Sequence, residues 1–126
     1  MQRKFSHAFH VPGTLSANIT ITFTVPSGCQ LVHVSACGSN ANDGLLIIGD
    51  SSDTNEYLTS SSIGDSGTPA EFDGDDFVDT SGNTHSRYYP VIVDGTVVVA
   101  TLDYDGDGGT ATDDFTLVLT FVEGGV

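Results

Sequence analysis

Five carboxylates fall within the twelve residues from Asp103 to Asp114: Asp103, Asp105, Asp107, Asp113 and Asp114. Four of them, with Gly108, match the calcium-loop spacing D-x-D-x-D-G-x5-[DE], with Asp114 where Glu is usual. Calcium needs several hard oxygen ligands around a tight turn, and this spacing offers both. The flanks, however, read as strands rather than helices, and Asp is a poorer bidentate ligand than Glu. Two readings stay open. One is a calcium-clamped β-hairpin with Asp103, Asp105, Asp107 and Asp114 as ligands; the other is a solvated acidic loop tip.

A second acidic group, Glu71, Asp73, Asp75, Asp76 and Asp79, could supply the paired carboxylates of glycoside hydrolysis, but that chemistry needs a walled cleft. Nothing in the sequence predicts one, so these charges read as solubilising. His7 and His10 are three apart and would point to opposite faces of a strand, and with His33 and His85 they make no metal pattern. No serine sits in a G-x-S-x-G elbow. With no catalytic constellation, the chain is expected to be non-enzymatic.

With 17 acidic residues against Arg3, Lys4 and Arg87, the formal net charge is −14. Such a charge repels phosphate, which excludes nucleic acid and anionic membranes as expected partners. The first eleven residues start basic but hold no apolar run of signal-peptide length, and no span of about 20 apolar residues follows. Synthesis in the cytoplasm as a soluble product, or release by a route other than a cleaved signal, is expected. Cys29 and Cys37 would stand about 26 Å apart at the ends of one strand, too far for a disulfide, so free thiols are expected, with Cys37 the buried one.

The elements that must position these groups read as β throughout. Thr96–Tyr104 and Asp114–Val122 form the organising C-terminal hairpin, with Phe115, Leu117, Leu119 and Phe121 on one face. In Ala17–Val25, Ile19, Ile21, Phe23 and Val25 point inward and threonines outward. Gln30–Ala36 places Val32, Val34 and Ala36 on one face. Leu45–Ile48 is apolar on both faces, as in a central strand or one that meets another subunit. Residues 60–84 are irregular, and 87–93 return to strand character. No helical period exceeds a turn.

Residues 1–16 are read as an N-terminal arm or edge strand, and 17–126 as one all-β domain, an antiparallel β-sandwich of jelly-roll-like type. Apolar residues on both faces at Leu45, Ile47, Val97 and Val99 call for a cover from loops or a neighbouring subunit.

Ile19–Cys29, Ile63–Phe72 and Asp94–Gly106 together resemble small structural proteins of tailed bacteriophages, most of all capsid decoration, or cement, proteins. The likeness is one of texture over residues 18–122. It implies a virion protein on the outer capsid face, partnered by the major capsid protein and by itself as a homotrimer. No site residue is carried over from it. The alternative is a carbohydrate-binding or adhesin-like β-sandwich, free or on a viral fibre, using Tyr57, Tyr88, Tyr89 or Tyr104 as aromatic platforms.

Overall fold

The computed structural model describes residues 3–78 and 89–124. Among these residues the chain forms nine strands: β1 (Lys4–Thr14), β2 (Ile19–Thr24), β3 (Cys29–Cys37), β4 (Leu45–Asp50), β5 (Leu58–Ser62), β6 (Ala70–Phe72), β7 (Val91–Ile92), β8 (Val97–Asp103) and β9 (Asp113–Glu123). They build two antiparallel sheets. Sheet A runs β1-β9-β3-β6, with the short β7 also on β3, and sheet B runs β2-β8-β4-β5.

The pairing is nested. β1 pairs with β9, β2 with β8, β3 with β6 and β4 with β5, as if one long ribbon of paired chain had been rolled into two layers. That arrangement is a jelly roll. The alternation of β-branched and aromatic residues drives it, because each strand has one apolar face to bury. On β9, Phe115, Leu117, Leu119 and Phe121 are all buried, and they face Leu46, Ile48, Val98 and Leu102 from sheet B across one core.

The expected C-terminal hairpin does not form. β8 lies between β2 and β4 in sheet B, whereas β9 lies between β1 and β3 in sheet A. Both are interior strands of different layers, so residues 104–112 arch over the end of the sandwich instead of turning tightly. A tight hairpin takes a loop of about two to five residues, and the Thr112 N–H donates to the Tyr104 carbonyl (2.9 Å) to close the wider arch.

β3 departs from simple alternation. A bulge between Leu31 and His33 places Cys29 and Leu31 inward before it and Val34 and Ala36 inward after it, leaving Val32 only half-buried. One extra residue in a strand flips the faces beyond it. The bulge therefore turns Cys29 inward, while Cys37, one residue past the inward Ala36, is only half-buried; both are free thiols at opposite ends of β3.

β1 is the edge strand of sheet A, registered on β9 from Lys4↔Val122 to Val11↔Phe115 before Pro12-Gly13 breaks the ladder. β4 is interior, with Leu46 and Ile48 fully buried and Leu45 and Ile47 half-buried on the outer face. Beyond them the turn into β5 folds back over Gly49, where a side chain would run into the Asp53 carbonyl. Gly49 pairs with Val99, which is buried, whereas Val97 remains exposed.

Candidate functional site

One end of the sandwich gathers the loops 38–44, 63–69 and 104–113, and with them most of the predicted calcium ligands. The turn chemistry of Asn and Asp explains how. Asp105 Oδ1 accepts the Asp107 N–H (3.1 Å), an Asx turn in which Gly106, Asp107 and Gly108 all adopt positive φ. Across the loop, Asp43 Oδ2 accepts the Thr110 N–H (2.6 Å), and the Asp43 N–H donates to the Thr110 carbonyl (3.0 Å). Asn40 bridges to the Ala111 carbonyl and the Asp113 N–H, while Thr112, wholly buried, places its hydroxyl 2.9 Å from the Tyr104 carbonyl and 3.3 Å from Asn42 Oδ1.

The four predicted ligands do not converge. Asp103 lies on sheet B beside Leu45, and Asp105 is its neighbour in the loop; Asp107 is exposed at the tip. Asp114 sits on sheet A, where it accepts the Gly13 N–H (2.7 Å) and the Ser39 hydroxyl (2.8 Å). Those two bonds hold its pKa below the usual carboxylate value. For Asp105, lost hydration works against ionisation, but the N–H groups of Gly108 and Asp107 outweigh it and lower the pKa. Among the described residues no three His, Cys, Asp or Glu side chains form a metal-holding group. Of the four predicted ligands, Asp105 accepts the Asp107 N–H and Asp114 accepts the Gly13 N–H.

In the second acidic group, Asp73 caps the Asp75 N–H and Asp76 caps the Asp73 N–H, a compact turn that lowers Phe77 into the core. Asp79, His85, Arg87 and Tyr88 lie outside the described residues. His33 approaches Glu71 at 3.4 Å on the outer face of sheet A. Tyr57 is buried and Tyr104 half-buried. Tyr89 is 42% exposed and walls a shallow hollow of about 290 Å³ with Asp73, Gly74 and Asp75.

The sequence reading missed a different surface. β1 and β2 are the edges of their sheets on the same side of the sandwich, and no strand lies beyond either among the described residues. Their inward residues, Phe5, Phe9, Val11, Ile19, Ile21 and Phe23, pack on the core but stay partly exposed. His7 joins this seam, its ring stacked on Phe23 at 4.2 Å between centroids. Phe23 in turn meets Phe121 edge-on at 5.5 Å. A further signal was available: residues 1–42 contain Arg3 and Lys4 but no carboxylate, and all 17 acidic residues follow.

No protein-family model matches this chain, and no curated protein matches it. Among solved structures, a chain of the cyanophage Pam1 capsid asymmetric unit is similar in fold, with a TM-score of 0.57 and 16% identity over 98% of this chain and 85% of that one.

Proposed function

We propose that this protein is a non-enzymatic structural component of a phage virion, one that decorates the outer capsid surface and stiffens the shell. The observation that carries this reading is the near end-to-end correspondence of the jelly roll with a chain of a phage capsid asymmetric unit. Asp105 and Asp43, whose carboxylates hold backbone N–H groups of their own loops, fit a scaffold. Its partners on this reading are the major capsid protein and further copies of itself.

Mixing the purified chain with capsid shells of the phage that encodes it tests the proposal. Expected are saturable binding, density on the outer face by cryo-electron microscopy and greater resistance of the shells to heat. Shells that neither bind the chain nor gain resistance would overturn it.

A second reading, a glycan-binding module, is favoured by one observation: the exposed Tyr89 ring beside Asp73 and Asp75. An aromatic face with nearby acceptors suits a sugar. Glycan-array binding that Tyr89→Ala abolishes would support it, and an array without hits removes it.

A further inference from the structure

The open side of the sandwich joins three properties. β1 offers a regular run, Lys4–Val11, paired on β9 and unpaired on its other edge. Unpaired edge N–H and C=O groups template the addition of another strand. Beneath that edge lies the half-exposed seam of Phe5, Phe9, Ile21 and Phe23, apolar surface that a partner would cover.

The third property is charge, and it selects the partner. In a chain of net charge −14, a second copy is repelled at most approaches. The open side is built from the first 42 residues and brings no carboxylate of its own. It is also bipolar. Arg3 and Lys4 stand at the start of β1, while Asp113 and Asp114 stand on β9 beside its end, with Thr14 registered on Asp113 and the Gly13 N–H bonded to Asp114. Arg3 is engaged by Glu123, but Lys4 has no partner among the described residues. Antiparallel pairing of two β1 strands about a two-fold axis directs the basic start of each toward the acidic end of the other, and does so twice.

We infer that two copies of this chain associate through their open sides, β1 against β1 in antiparallel pairing, to form an isologous dimer with one continuous sheet A. The same two-fold brings each β2 against its copy and covers both aromatic seams. An interface of this kind is self-complementary and closed, so assembly stops at two.

Sedimentation equilibrium on the full chain, from micromolar to near-millimolar concentration, tests this without any capsid, so its failure is distinct from failure of the virion reading. A monomer–dimer equilibrium is expected. Lys4→Glu should weaken it about tenfold, Asp113→Lys should weaken it similarly, and the double variant should return to within about twofold of wild type, because like charges then face opposite ones again. Neither side chain makes a bond among the described residues, so the melting temperature of the dilute monomer serves as the folding control. Hydrogen exchange should show β1 amides becoming protected as concentration rises. A chain that stays monomeric throughout, a trimer, or a dimer indifferent to both charge changes would overturn the inference.

Discussion

The two long sides of the sandwich are finished differently. On the β5/β6 side, residues 73–78 cross from sheet A to sheet B, with the Val78 N–H on the Tyr57 carbonyl (3.0 Å), and Phe77 plugs the gap with no exposed surface. On the β1/β2 side residues 15–18 cross only at one end of the strands, and Phe5, Phe9 and Phe23 are left half-covered by the described part of the fold. Both sides bury aromatic rings against one core. The lesson is that a sandwich edge can be sealed by its own chain or left for another surface, and that the choice lies in the connecting loops rather than in the strands.

Truncating the plug should separate the two sides most strongly. Phe77→Ala removes a wholly buried ring and is expected to cost about 3–5 kcal/mol, whereas Phe23→Ala in the dilute monomer should cost clearly less, because its ring already meets water. Urea unfolding of both variants measures this, and equal losses would erase the distinction.

Glycine substitutions sharpen it next. On the closed side, Gly49→Ala drives a methyl into the backbone of residues 53–55, and overpacking of that kind costs about 1–3 kcal/mol. On the open side, Gly13→Ala meets nothing within 4 Å and bears only the strain of φ +84°, about 1 kcal/mol. Thermal melts that rank the two the other way would contradict the closed turn over Gly49.

A pH series separates two carboxyls with opposite shifts. At the foot of the open side, Glu123 is held down to about 2 by the Arg3 guanidinium and the Ser27 hydroxyl. Its contribution is complete above its ordinary 4.5 and is lost as pH falls from there through 2. At the turn between β4 and β5, hydrogen bonding with Asp50 raises Glu56 to about 7, so its contribution is complete below 4.5 and is lost as pH rises through 7. Glu56→Gln should therefore melt above wild type in alkaline buffer and converge with it in mild acid. The gap should stay under about 1 kcal/mol, since both carboxyls face solvent. A gap of the opposite sign would show that Asp50 and Glu56 do not share a proton.

The acidic end should respond least. With Asp105 and Asp43 bonded to loop N–H groups, millimolar calcium is expected to move the melting temperature no further than sodium chloride at matched ionic strength. A calcium-specific gain that disappears in Asp105→Asn/Asp107→Asn would restore the metal clamp.

How much of this was legible follows the range of each interaction. Alternation in β2 and β9 was readable because each residue's face depends on its neighbours two positions away, and Ile19, Ile21, Phe23, Leu117 and Leu119 fall where the pattern puts them. The sandwich follows from the number and spacing of such runs. Which sheet a strand joins does not, and so β8 and β9, adjacent in sequence, were assigned to one hairpin. The bulge at Val32 leaves no compositional mark, and it turned Cys29 into the core. At the candidate site the sequence located the acidic loop but not the turn within it, because Asx turns and calcium loops draw on the same Asp and Gly residues. The open side was hidden for a different reason: alternation shows which way a side chain points, and whether a further strand lies beyond it is decided by the whole topology.

The nested pairing has a consequence in time. β1 is joined to a strand more than a hundred residues further on, with Lys4 opposite Val122, and β2 must find β8. As the chain leaves the ribosome, β4 with β5 can close early, but β1 has no place in sheet A until β9 has been made. Pairings this distant make for slow folding. Throughout that wait the aromatic face of β1 is bare, and residues 1–42, which hold no carboxylate, lack the charge repulsion that the later residues carry. Shielding β1 from its neighbours during that interval is a demand that the nested topology itself imposes.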